Sequence, residues 1–213
     1  MTTEAARPFE AHSPQMRPPN PARTIYHMLT SSAVVVLVVL APADWLPPIA
    51  VVFAVTAWTL EALRHLFPRF NRVVMAVFGW VAHPHEAARI NSGTWYVSGM
   101  VILAYTTPTW ACAVAVAVLG WGDPVAALVG RRWGKTALLN GRTLQGTLAF
   151  VAAGAAAAGI TLLIAYPETP RLAWIALGAA AAGGLAELVS RRLDDNFTIP
   201  LATALACAVV AGL

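Results

Sequence analysis

Seven apolar runs, most of them near the length that crosses a lipid hydrocarbon core, follow one another along this chain with short polar connections between them. They extend from Ile25 to Ala41, Leu46 to Leu63, Thr94 to Thr106, Thr109 to Gly130, Thr147 to Ala165, Leu172 to Val189 and Ile199 to Leu213. Such a pattern excludes a water-soluble globule. Hydrophobic residues make up 58% of the chain and charged ones only 11%, against roughly a quarter charged in soluble domains. Seven crossings nearly exhaust 213 residues, so no separate soluble domain fits. The expected fold is all-α and polytopic: one membrane domain over residues 23–213.

Residues 1–22 hold Pro8, Pro14, Pro18, Pro19 and Pro21 among polar residues. That composition opposes a helix and offers little apolar surface, so a disordered cytoplasmic tail is expected. Ala41-Pro42-Ala43 superficially resembles a signal-peptide cleavage site, but the lead before it is long and Pro42 sits inside the site. The run from Val73 to Ala82, flanked by Arg69, Arg72 and His83, is too short to cross and suits an interfacial helix near 69–90.

With seven crossings, all but one of the 14 Lys and Arg residues fall on one side. Arg7, Arg17, Arg23, Arg64, Arg69, Arg72, Arg89, Arg131, Arg132, Lys135, Arg142, Arg191 and Arg192 share that side, and Arg171 alone is opposite. The positive-inside rule then puts the N-terminus in the cytoplasm and the C-terminus outside. The net charge of +4 therefore reads as topology, and no nucleic-acid partner is expected. Cys112 and Cys207 lie in apolar runs and read as packing residues, with no disulfide framework.

A carboxylate within a crossing costs several kcal/mol unless it is paired, hydrated or metal-bound. Asp123 lies about 12 Å along a helix before Arg131, and Glu187 about one turn before Arg191. His27, Glu86 and Asn91 fall on the same side, so the ionisable groups converge on one leaflet. Gly122, Ala126 and Gly130 recur every four residues, which makes one helix face narrow enough for close approach. After them come Arg131, Arg132, Lys135 and Arg142 with Gly130, Gly134, Gly141 and Gly146, the composition expected of a phosphate cradle at a helix N-terminus.

Two motifs are decoys. Gly130 to Thr136 has the wrong glycine spacing for a P-loop and follows an apolar helix instead of a strand. His83-Pro84-His85-Glu86 suggests zinc, but the proline disrupts helical presentation and Arg89 stands where the next ligand belongs. Asp194-Asp195-Asn196 is read either as a helix cap or as a set of oxygen ligands suited to Mg²⁺.

Taken in order, these motifs resemble the CTP-dependent lipid-alcohol kinases: dolichol kinase, phytol kinase and fungal-type diacylglycerol kinase, related to phosphatidate cytidylyltransferases. The resemblance covers residues 23–213. It rests on Gly122-Asp123-Pro124-Val125-Ala126 through Gly134-Lys135, on Arg142-Thr143-Leu144-Gln145-Gly146-Thr147, on Glu187, and on Asp194-Asp195-Asn196-Phe197-Thr198-Ile199-Pro200. Weaker similarity lies in Arg23 to His27, Glu61 to Arg64 and His85-Glu86 to Thr94. Where the family has Lys-Ser-x-Glu-Gly this chain has Arg142-Thr143-Leu144-Gln145-Gly146, a neutral amide in place of the acid.

The resemblance implies γ-phosphate transfer from CTP to a lipid hydroxyl at an integral membrane site facing the cytoplasm, in a bacterial inner membrane. It implies Mg²⁺ on Asp123, Asp195 and Asn196, and phosphates on Arg131, Arg132, Lys135, Arg142, Thr143, Gln145 and Gly146. Glu187 or His27 is the expected base beside Asp123, and Arg23, Glu86, Asn91 and Asp194 are further candidates. A homo-oligomer is left open. The alternatives are a cytidylyltransferase, whose basic, glycine- and histidine-rich C-terminal signature is absent, and a non-catalytic transporter or assembly subunit, for which no internal repeat is visible.

Overall fold

The computed structural model describes residues 20–80, 89–191 and 193–212. Its helices are α1 (Pro21–Leu40), α2 (Leu46–Leu66), α3 (Pro68–Phe78), α4 (Ser92–Thr106), α5 (Thr109–Trp133), α6 (Leu144–Ala165), α7 (Leu172–Val189) and α8 (Asp195–Ala211). No strand occurs among the described residues, so the fold is all-α and polytopic. Five helices are long and apolar enough to cross a membrane: α1, α2 with the 3-10 turn before it, α5, α6 and α7. Helices α4 and α8 are shorter, at 15 and 17 residues.

Several boundaries differ from expectation. α1 begins at Pro21, inside the expected tail, because proline is tolerated at the first helical position and the Asn20 side chain accepts from Arg23 N–H at 3.0 Å. Residues 1–19 lie outside the described residues. α3 occupies the expected interfacial segment and, at 11 residues, is far too short to cross. It exposes Val73, Val77 and Phe78. The remainder of that segment, residues 81–88, with His83, His85 and Glu86, lies outside the described residues.

α5 is the axis of the bundle. Every residue from Ala111 to Gly120 is buried, as a helix apolar on all sides requires, and α1, α6, α7 and α8 pack round it. α1 and α2 instead turn Leu29, Val36, Leu40, Val52, Phe53 and Val55 outward.

Small residues bring the helices together. A Cβ on Gly120 would come within 2.2 Å of Ser31 Cβ, so α1 lies directly against α5 there. The ring of Phe150 on α6 fills the space left by Gly122 on α5 and Gly183 on α7. Gly130 and Gly146 face each other where α5 meets α6. The seam read from Gly122, Ala126 and Gly130 is thus a real contact face, made by close packing in place of any hydrophobic preference between helices in lipid.

Two substitutions on α6 have opposite expected signs. A Cβ on Gly146 would sit 3.0 Å from the Ala126 carbonyl oxygen and 3.3 Å from Gly130 Cα, both backbone atoms. Gly146→Ala is therefore expected to destabilise by about 1–3 kcal/mol and to lower the melting temperature in detergent. Gly159→Ala meets nothing within 4 Å and should stabilise by about 0.5–1 kcal/mol, since alanine is the better helix former.

Candidate active site

At one end of the bundle the N-terminal ends of α1, α4, α6 and α8 and the C-terminal ends of α2, α5 and α7 surround a polar cavity of about 790 Å³. Asp123, Glu187, Asp194 and Asp195 line it, together with Arg23, Arg89, Arg131, Arg142 and Arg191 and the imidazoles of His27 and His65. The expected convergence of ionisable groups is thus observed. Arg171, the cation expected on the opposite side, sits at the far end of α7 and donates to the Val210 carbonyl of α8.

Arg142 holds the cavity together. It lies on a tight hairpin between α5 and α6, where Leu138 N–H donates to Arg142 O at 2.8 Å and Leu144 N–H donates to Thr136 O at 2.9 Å. Asn140 (φ 53) and Gly141 (φ 73) turn the tip, and the Asn140 amide donates to the Leu188 carbonyl at 2.7 Å. From this hairpin the guanidinium reaches Glu187 on α7 at 3.0 Å and Asp195 on α8 at 2.8 Å. Burial opposes the Arg142 charge, but Glu187, Asp123 and Asp195 outweigh it and raise its pKa further.

Asp123 projects into the cavity from α5, within electrostatic reach of His27, Arg142, Arg23 and the like-charged Asp195. Among the described residues it makes no hydrogen bond or ion pair. Pro124 follows it inside the helix and lacks an N–H. Glu187 is 1% exposed, and its Oε2 has no partner; His27 Nε2 and Thr147 Oγ1 are likewise buried and unpartnered. Tyr96, Tyr166 and Thr203 also bury unpartnered hydroxyls, away from the cavity, so it is the cavity lining that singles out Glu187, His27 and Thr147.

Helix register sets His27 against Asp123. α1 and α5 run antiparallel and touch where Ser31 meets Gly120. One turn towards the cavity from Ser31 is His27, and one turn towards it from Gly120 is Asp123.

Asp194 and Asp195 have different tasks. Asp194 is the N-cap of α8: it accepts from Asn196 N–H at 3.0 Å, from the Asn196 amide at 2.8 Å and from Ser92 Oγ at 3.0 Å. Burial, with Asp195 alongside, pushes the Asp194 carboxyl above its ordinary pKa, while the bonds from Asn196 and Ser92 pull the other way. Asp195 points instead to Arg142 and the cavity. The cap reading of this cluster therefore applies to Asp194, and Asp195 is left to face the cavity.

For a divalent cation the donor set suits Mg²⁺. Asp123 and Asp195 are like-charged carboxylates sharing one cavity, and Asn196 stands beside them. Among the described residues no group of three or more His, Cys, Asp or Glu closes on one point. Two carboxylates with the remaining positions left to phosphate and water is the arrangement Mg²⁺ prefers.

Other expected site residues are placed differently. Arg132 and Lys135 are exposed and do not line the cavity; Arg132 stacks over Trp133. Gly130, Gly134 and Gly146 crowd against Thr143, and the Gly146 N–H donates to Thr143 Oγ1 at 3.2 Å. These glycines serve close packing and a helix cap, instead of presenting free N–H groups. Thr143 and Gly146 still line the cavity. Asn91 caps α4 through Gly93 N–H, and its own N–H donates to Glu61 in a buried Glu61–Arg64 pair at 2.6 Å. Glu86 lies outside the described residues.

The cavity also contains Arg89, Arg191, His65 and Asn140, which the sequence had not marked as site residues. Asn140-Gly141 is a turn signal that could have located the hairpin tip. The others carried no local signal beyond charge.

In CTP-dependent diacylglycerol kinase 1 of Schizosaccharomyces pombe, 174 aligned residues are 30% identical, covering 76% of this chain and 79% of that protein. The chain belongs to the CTP-dependent lipid-alcohol kinase family. A phytol kinase of Synechocystis is 28% identical over 193 residues, covering 89% of this chain and 79% of that protein. CTP-dependent diacylglycerol kinase 1 of Saccharomyces cerevisiae is 24% identical over 172 residues, 68% of this chain and 57% of that protein. No family model matches, and no solved structure matches.

Gln145, the neutral amide of the Arg142–Gly146 motif, does not line the cavity. Its side-chain oxygen accepts from Lys135 N–H at 2.9 Å and Thr136 N–H at 3.3 Å, clamping the loop that carries Arg142. Either an amide or a carboxylate can accept both bonds. Gln145→Glu is expected to keep the melting temperature, whereas Gln145→Ala should lose about 1 kcal/mol. Asp194→Ala, which removes the α8 cap, should cost about 0.5–2 kcal/mol in thermal unfolding, and Asp194→Asn should recover most of it.

Proposed function

We propose that this protein transfers the γ-phosphoryl group of CTP to the hydroxyl of a lipid alcohol such as diacylglycerol, phytol or a polyprenol. The observation that carries this reading is the 790 Å³ cavity, where carboxylates and arginines meet at one end of an apolar helix bundle. A membrane-bound alcohol reaches it from the lipid side and a nucleotide from the water side. The relatives named as CTP-dependent diacylglycerol kinases and phytol kinase supply the donor and the acceptor class.

By the positive-inside rule the cavity faces the cytoplasm, with α4 and α8 completing seven crossings. In a bacterium that membrane is the inner one.

Phosphoryl transfer depends on positioning and charge neutralisation. Arg131, which makes no ion pair among the described residues, and Arg142 receive the phosphates. Arg23, Arg89 and Arg191 add positive charge at the rim, and Thr143 offers its hydroxyl. Mg²⁺ held by Asp123 and Asp195, with Asn196 alongside, would offset the charge that develops on the phosphates.

The acceptor oxygen attacks the γ-phosphorus, the bond to the β-phosphate oxygen breaks, and CDP leaves. His27 accepts the hydroxyl proton at its unpartnered Nε2, and Asp123 steadies the resulting imidazolium. Glu187 already pairs with Arg142 and acts by positioning that guanidinium.

The test incubates purified protein and Mg²⁺ with CTP labelled at the α or the γ phosphate, alongside ATP, and with diacylglycerol, phytol, polyprenol and phosphatidate as acceptors. γ-Label in a lipid alcohol is the expected result. α-Label in phosphatidate would make it a cytidylyltransferase, and no transfer by folded protein would overturn both. Asp123→Asn, at a carboxylate with no ion pair among the described residues, should keep the fold and lose turnover, whereas a purely structural role predicts lost expression. His27→Asn should lower kcat by roughly 10²-fold or more with little change in the KM for CTP.

A further inference from the structure

Along α2, one face made of Val51, Ala54, Val55, Trp58, Thr59 and Ala62 borders an open groove of about 550 Å³, completed by Leu63 and by Val101 of α4. Thr59 supplies the hydroxyl among otherwise apolar or aromatic walls. The Trp58 indole donates to Ser98 Oγ on α4 at 3.0 Å, which ties this groove-lining ring to the neighbouring helix. From Val51 to Leu63 the helix rises about 18 Å, close to the depth of one leaflet of hydrocarbon.

Groove and polar cavity follow one another along the same two helices. His65, one turn beyond Ala62 and on the same face of α2, lines the cavity, as does Trp95, one turn from Ser98 on α4. The same two helices therefore form the wall of both spaces. Above them, the segment after α3 links the cavity ends of α2 and α1: Trp80 packs edge-to-face on Tyr26, and its carbonyl accepts from the Asn20 amide at 2.9 Å.

We infer that this groove seats a hydrocarbon chain of the acceptor alcohol, whose hydroxyl enters the polar cavity further along the same two helices. This rests on the phosphotransferase reading and specifies how its lipid substrate is held. An amphiphile that reacts at its polar end needs its tail accommodated beside the cavity, and the α2–α4 groove provides apolar walls of single-leaflet length in that place. Bulk phospholipid is the competing occupant. Phosphatidylcholine, the phospholipid used in the test, has no hydroxyl to deliver to the cavity.

The experiment uses the full chain in phosphatidylcholine nanodiscs with two probes, a diacylglycerol and a prenol, each carrying a photoreactive diazirine in its chain. Crosslinks within residues 51–63, displaced by unlabelled alcohol but not by additional phosphatidylcholine, are expected. Ala62→Phe and Thr59→Phe, both at exposed positions, should reduce that labelling. They should also raise the KM for a long-chain acceptor about tenfold, the equivalent of roughly two buried methylenes, and leave the KM for CTP and for a short-chain acceptor unchanged. Leu60→Phe, outside the groove, should change neither.

Crosslinks elsewhere, equal displacement by phosphatidylcholine, or an unchanged long-chain KM in both groove variants would overturn the inference. Absence of transfer to any acceptor would instead count against the phosphotransferase reading, and the labelling map would still decide the groove.

Discussion

Carboxylates at the ends of apolar helices are costly unless they are paired, hydrogen-bonded, hydrated or metal-bound, and in this bundle Arg142 pairs with two. A single guanidinium, carried on a hairpin between α5 and α6, bridges Glu187 on α7 and Asp195 on α8. The hairpin is itself held by the Asn140 bond to α7 and by Gln145 on the Lys135 and Thr136 amides. Removing Arg142 would leave the buried Glu187 carboxylate uncompensated, so the ends of three helices depend on one side chain. The same bridge leaves Asp123 without an ion pair among the described residues, facing a cavity that already holds another carboxylate.

Glycines perform the complementary task of setting distance. Gly120 admits α1 at Ser31, Gly122 and Gly183 admit Phe150, and Gly130 and Gly146 let α5 and α6 meet backbone to backbone. In lipid, where apolar side chains gain little from leaving their solvent, such close contact supplies the packing energy. It also fixes register: antiparallel helices pinned at Ser31 and Gly120 bring His27 and Asp123 to the same depth. Packing and chemistry thus share residues. Gly146 both lines the cavity and sets the spacing of α5 and α6.

The division between Asp194 and Asp195 follows the same economy of position. One carboxylate caps α8 and ties it to α4 through Ser92, while its neighbour is free to face Arg142 and the cavity. Gln145 makes the converse point: its neutral amide is a clamp outside the cavity wall. Membership of the lipid-alcohol kinase family and the polarity of the cavity point the same way, towards a nucleotide on the water side and an alcohol on the lipid side.

Apolar periodicity and the one-sided distribution of Arg and Lys suffice to read an all-α membrane fold and the end of the bundle where Asp123 and Glu187 meet. These depend on local sequence, because hydrocarbon tolerates neither free backbone groups nor unpaired charge. Which cation met which carboxylate was not legible. Arg131, Arg132, Lys135 and Arg142 are equivalent as letters, yet two line the cavity and two face outward, because a hairpin and a helix end aim them differently. Arg89 and Arg191 read as topological charges until chain segments distant in sequence placed them on the cavity rim. Gly130, Gly134 and Gly146 are only letters in the sequence, and the packing of α6 and Thr143 against them shows that their missing side chains make room for close approach. Side-chain direction and helix register arise from contacts between elements far apart in the chain, and pattern along one segment carries no record of them.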